Sequence, residues 1–178
     1  MSELFSIQLQ NRQQQGRDGV WLDLPTTTEQ VQAALRQIGI SSDNPQGLFI
    51  SGYFAEEEKR FAIPYNMVLA SNVDELNFLA SRLETLSTGE RAELNAALQA
   101  PQSELSSIGR ITDFPENVDY YVHLPDVHGP AQLGDYYLNR SGMVDMPEEW
   151  KGGIDTAQFG RYVAQQEQGV FTLSLIHI

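Results

Sequence analysis

The chain has 178 residues, with 24 acidic side chains against 11 basic ones and a formal net charge of −13. That length suits one domain or a few small ones sharing a core, and 41% apolar residues are enough for a packed interior, which excludes global disorder. The charge argues against direct nucleic-acid binding and against docking on anionic membrane, because both need clustered Lys and Arg.

No apolar run reaches the ~18 residues of a membrane helix. The opening MSELFSIQLQ lacks a basic region followed by an apolar stretch, so no secretion signal is expected. The absence of cysteine excludes disulfides, thiolate zinc sites and a cysteine nucleophile, and fits a cytoplasmic protein.

In chain order, Phe5, Ile7 and Leu9 alternate with polar residues, which predicts a half-buried strand. Val20, Leu22 and Leu24 predict a second, stopped by Pro25. Thr26 and Glu29 have the spacing of a capping box. Val31, Ala34, Leu35 and Ile38 then share one helical face, and Gly39 ends that helix. Residues 47–54 are a third strand, and the acidic run Glu56-Glu57-Glu58 reads as a loop or strand end. A small sheet crossed by one helix is the simplest assembly of residues 1–61.

Residues 62–109 read as helical. Val73, Leu76, Leu79, Leu83 and Leu86 form an apolar stripe, with Asp74 and Glu75 in the first turn, where they favour the helix dipole. Ser87 with Glu90 repeats the capping-box spacing, and Leu94, Ala97 and Leu98 make a shorter helix, so an antiparallel helical hairpin is expected. Residues 110–172 are mixed. A strand is predicted over 118–124, and a helix over 130–140 carrying Leu133, Tyr136 and Tyr137, closed by Gly142. Pro147 marks the first position of a short helix with Trp150. Asp155 caps a last helix bearing Phe159, Tyr162 and Val163, and 170–172 open a strand. The fold class expected is α+β: a small antiparallel sheet with a helix, a central helical region and a C-terminal mixed part. Residues 173–178, Leu-Ser-Leu-Ile-His-Ile, match one reading frame of a common sequencing-library adaptor. They are set aside from the fold, and the natural chain is expected to continue past Thr172.

The sequence holds no phosphate-binding loop, no dinucleotide fingerprint and no nucleophile elbow. His123 and His128 lie five apart across Pro125, which suits neither a helical nor a strand metal pair. No catalytic, cofactor-binding or metal-binding residue is predicted, and the chain is read as a non-enzyme. What remains is the spread of charge. Residues 111–160 hold Asp113, Glu116, Asp119, Asp126, Asp135, Asp145, Glu148, Glu149 and Asp155 against only Arg140 and Lys151. Asp74, Glu75, Glu84, Glu90 and Glu93 add to them from the middle segment. A solubilising surface is the plain reading of such a pattern; a surface offering carboxylates where a DNA-binding partner expects phosphates is the sharper one.

The last third resembles the ArdA antirestriction family. The carriers are Leu133-Gly134-Asp135-Tyr136-Tyr137-Leu138, Gly142, Met146-Pro147-Glu148-Glu149-Trp150, Ile154-Asp155, Phe159-Gly160-Arg161 and Gly169-Val170-Phe171-Thr172. Weaker echoes are Gly19-Val20-Trp21-Leu22-Asp23-Leu24-Pro25 and Asp74-Glu75-Leu76-Asn77. The resemblance implies an elongated, acidic α+β protein of three small domains that dimerises and mimics bent B-form DNA. Such a protein occupies the DNA groove of a type I restriction–modification enzyme, on its methyltransferase core, and shields incoming mobile-element DNA. The fourteen carboxylates above are then the mimic candidates. Tyr136, Tyr137, Trp150, Phe159 and Tyr162 are core or dimer contacts, being too apolar to stand in for phosphate. The alternative is an ArdA-like acidic interaction module of a mobile element that binds another DNA-processing protein. A dimer would carry −26, the charge of about 44 Å of duplex at one charge per ~1.7 Å. Placement and shape must therefore add to net charge.

Overall fold

A computed structural model describes residues 3–14, 18–41, 46–100, 103–118, 122–171 and 175–177. They fall into two compact units, one of residues 1–91 with 104–115, the other of 92–103 with 116–178. The class is α+β, as the alternation of the two periodicities predicts.

The first unit is built on a three-stranded antiparallel sheet of order β2-β1-β3, with β1 at Phe5–Asn11, β2 at Val20–Leu24 and β3 at Leu48–Phe54. Register runs from Phe5 opposite Leu24 to Leu9 opposite Val20. On the other side of β1 a bulge at Gln8/Leu9 shifts the pairing with β3. Phe5, Ile7, Leu9, Leu22, Leu24 and Ile50 are buried, as strand alternation requires. Helix α1, Thr28–Gln37, buries Val31 and Ala34. Its capping box lies one residue beyond the predicted one: Gln30 N donates to Thr27 Oγ1 (3.4 Å) and Thr27 N to Gln30 Oε1 (3.3 Å). Thr26 is drawn instead to Asn77, whose side chain accepts from Thr26 N (2.7 Å) and donates to Thr26 O (3.0 Å). Gly39, at φ +70°, ends α1 as predicted, with Ile40 N donating to Leu35 O.

The run 56–58 is a tight turn rather than plain loop, since a 3₁₀ helix covers Glu57–Lys59 and Lys59 reaches back to Glu56 at 3.0 Å. Helix α2 spans Tyr65–Leu69 and α3 spans Val73–Glu84, capped by Asn72 Oδ1 on Glu75 N (2.8 Å). The whole predicted stripe on α3 is buried. Helix α4, Thr88–Gln99, follows after three residues. The Arg91 guanidinium closes that turn, donating to Leu86 O (3.2 Å) and Leu83 O (3.5 Å) while lying over the Phe61 ring. Short helices α5, Ile108–Thr112, and α6, Phe114–Asn117, come next; α3 packs on α5.

The second unit centres on α7, Pro130–Asn139, packed against α9, Thr156–Gln166. A Cβ on Gly160 would fall 2.7 Å from the Pro130 carbonyl carbon and 2.8 Å from Gly134 N. One on Gly134 would fall 2.8 Å from the Thr156 carbonyl carbon. Residue 130 thus faces 160 and 134 faces 156, so the two helices run past each other in opposite directions with backbones touching. Val127, Leu133, Val163 and Ala164 form the core there, with Leu124, Tyr136, Tyr137, Phe159 and Phe171 against it. Helix α8 spans Glu148–Lys151, with Pro147 as its N-cap rather than its first residue. A second antiparallel sheet has order β4-β6-β5, from Val122–Leu124, Leu175–His177 and Val170–Phe171. Of the strand predicted over 118–124, residues 119–121 lie outside the described residues. Its middle strand comes from the hexapeptide set aside on sequence grounds, because ladder bonds use backbone groups that any extended segment supplies.

Candidate partner-binding surface

The candidate carboxylates separate by what already holds them. Four are committed to local structure. Glu90 completes the predicted capping box of α4: Ser87 N donates to its Oε2 (2.7 Å) and Glu90 N to Ser87 Oγ (3.3 Å). The hydrogen bonds from the Ser87 side chain and backbone hold its pKa below the usual 4.5. Asp155 caps α9, its Oδ1 accepting from Ala157 N and Gln158 N, both at 2.9 Å. Asp135 accepts from Arg140 and Asn139, each at 2.8 Å, and the Arg140 bond leads in lowering its pKa. Glu148 accepts from Lys151 at 2.6 Å. A carboxylate with an internal partner must exchange it for an outside one, so its net gain from a partner is small.

Asp74, Asp126, Asp145 and Glu149 differ. Each is exposed and has no hydrogen bond or ion pair among the described residues. Asp74 sits in the first turn of α3; Asp126 and Asp145 lie on loops flanking α7; Glu149 is on α8. Asp113 and Glu116 are also exposed, whereas Glu75, Glu84 and Glu93 are half-buried. Asp119 lies outside the described residues. The second unit, with ten acidic and three basic side chains, is the more acidic for its size.

The five aromatics also divide. Tyr136, Tyr137 and Phe159 pack on the core of the second unit, the two tyrosine rings meeting edge-on at 5.7 Å. Burial, then Glu167 and Tyr136, raises the pKa of Tyr137. Trp150 is 68% exposed and Tyr162 59%, and neither belongs to that core. Sequence reasoning passed over Met143, the most exposed large apolar residue among the described residues at 75%, because a lone Met after Gly142 carries no periodic signal. It also passed over Gly134 and Gly160 as structural partners; they lie 26 residues apart, and only the crossing of α7 and α9 shows what each does. Among the described residues no group of three or more His, Asp or Glu converges to hold a metal, and no helix is long and apolar enough to cross a membrane.

Comparison with known families matches residues 15–174 to the pattern of one family, described as Antirestriction protein (ArdA). The match spans both units and every candidate residue above. No curated protein sequence matches the chain.

Proposed function

The chain belongs to the ArdA family of antirestriction proteins, and from this we propose that it blocks a type I restriction–modification enzyme by occupying the DNA groove of the methyltransferase core. Carboxylates take the places of phosphates there. A DNA groove is lined with Lys and Arg, and exposed carboxylates make the same charge-assisted contacts while releasing the anions bound to it. Phosphate contacts position DNA without reading its sequence, so a mimic of them inhibits whatever site the enzyme recognises. The inhibitor works as a homodimer in the cytoplasm, and no catalytic step is involved.

The observation that carries this reading is the set Asp74, Asp126, Asp145 and Glu149, exposed and without a partner among the described residues, in a chain of net charge −13. Such groups lose no internal bond when they meet a cationic groove. Trp150 and Tyr162 add exposed aromatic area in the same unit as three of the four.

The test is competition. The protein is titrated against labelled duplex DNA bound to a purified type I methyltransferase core, at low and at moderate salt. Displacement that weakens steeply as salt rises is the expected result. No displacement at either salt, by protein shown to be folded, overturns the proposal and turns the search to another DNA-processing partner.

A further inference from the structure

We propose that the groove along the free edge of β2 binds an extended, Arg- or Lys-bearing peptide segment of another protein. In the sheet order β2-β1-β3, one side of β2 has no strand beside it among the described residues. An open groove of about 470 Å³ lies there. Four consecutive β2 residues, Val20, Trp21, Leu22 and Asp23, line it. Neighbouring strand residues point to opposite faces of a sheet, so a cleft on one face would be lined by alternate residues. A consecutive run means that the groove follows the strand's edge.

The facing wall is Gln30, Ala33, Ala34 and Gln37 of α1, spaced i, i+3, i+4, i+7 and therefore on one side of the helix. Two alanines at the centre leave the groove wide, and a glutamine amide stands at each end. That geometry accepts a chain in the manner of strand addition, where the free edge supplies backbone bonds and the groove holds alternate side chains. The five residues of β2 match a peptide of about five residues, roughly 17 Å long.

The sign of the occupant follows from the lining. Among the described residues that line it, Glu3 and Asp23 are the only charged ones. The Asp23 carboxylate accepts from Ser6 Oγ through Oδ1 (2.6 Å), which leaves Oδ2 for a second donor. Phosphate-bearing ligands are repelled by the same two carboxylates, so the occupant is a peptide and not a nucleic acid. This groove belongs to the first unit and uses none of the phosphate-mimic candidates, so it adds a binding surface to the one proposed above.

The experiment uses the full chain and a fluorescein-labelled peptide Val-Arg-Val-Arg-Val, read by anisotropy. The same peptide with Glu in place of Arg serves as the control. The arginine peptide should bind, with the glutamate peptide at least tenfold weaker. Ala33→Leu, which fills the groove, should weaken binding at least tenfold with the circular dichroism unchanged. Asp23→Asn combined with Glu3→Gln, on the surface and harmless to folding, should weaken it about fivefold. Equal binding of the two peptides, full binding by the variants, or no binding at millimolar peptide would each overturn the proposal. So would an Ala33→Leu variant that changes the oligomeric state of a chain that binds no peptide, which would give the edge to a second copy.

Discussion

Replacing Gly160 by alanine tests the crossing on which the second unit is built. The new Cβ would lie 2.7 Å from the Pro130 carbonyl carbon and 2.8 Å from Gly134 N, and closer still to the Pro130 carbonyl oxygen. Ordinary contact between heavy atoms is about 3.5 Å, and the Pro130 carbonyl oxygen is the nearest atom, so α7 and α9 must part by more than about 1 Å. The obstacle is backbone on both sides, so no rotamer change relieves it. A gap of that size forfeits about half or more of each dispersion contact across the interface, and overpacking of a core costs up to about 3 kcal/mol. Alanine returns about 1 kcal/mol through helix propensity. The net loss is about 2 kcal/mol, and at about 2–4 °C per kcal/mol for a chain of this size the melting temperature should fall by about 4–8 °C.

The control is Gly89→Ala in the first turn of α4, where the nearest atom to an added Cβ is Ser87 Oγ at 4.0 Å. The chemistry is the same, the crowding is absent, and a gain of up to about 1 kcal/mol is expected. Both variants are followed by urea unfolding and thermal scans. If Gly160→Ala proved as stable as Gly89→Ala, the close approach of α7 and α9 would be wrong.

Four other outcomes follow from the same structure. Asn77→Ala leaves Thr26 N and O without their partners and should cost about 1–3 kcal/mol by urea unfolding, whereas a loss under 0.5 kcal/mol would mean that water replaces the amide. Tyr53→Phe removes a buried hydroxyl that has no partner among the described residues, and whose pKa burial pushes up to about 12; stability should rise by about 1 kcal/mol, and a fall would reveal a bond to that oxygen. Glu90, with its pKa lowered by Ser87, contributes stability that is present above the usual 4.5 and lost as pH falls through its lower folded value; in acid titration of unfolding, Glu90→Gln should flatten that share of the decline, and an unchanged profile would remove the cap from the account. Asp126→Asn, Asp145→Asn and Glu149→Gln should each change inhibition of the restriction enzyme less than about threefold, while the triple variant weakens it about tenfold and lowers the salt slope by about 3; a single change that abolishes inhibition in a folded protein would refute a shared surface.

What could be read from the chain before any tertiary structure was local. Phe5, Ile7 and Leu9 marked β1 because every second residue of a half-buried strand meets the core. The stripe from Val73 to Leu83 marked α3 because a helix returns to one face every three or four residues. Caps were legible for the same reason: Ser87 with Glu90, and Asp155, act within one turn. The box at α1 slipped by one residue because Thr26 and Thr27 both qualify, and Asn77, 51 residues away, takes Thr26. The short helices α2, α5 and α6, of four or five residues, were missed because so few positions show no period.

The surface was legible only as a composition. The sequence carries the carboxylates, and the i,i+3 spacing of Glu148 and Lys151 could have shown their pairing, yet nothing in the spacing says that Arg140 holds Asp135 while Asp126 and Asp145 have no partner among the described residues. Family resemblance pointed to Gly134 and Gly160, but the reason for glycine at both is a helix crossing that joins residues far apart in the chain. The groove beside β2 exists because strand order leaves β2 at an edge, and strand order is a property of packing. Periodicity and capping act over a few residues and are written in the chain; which carboxylate is left without a partner, and which strand without a neighbour, depends on contacts that form only when distant segments meet.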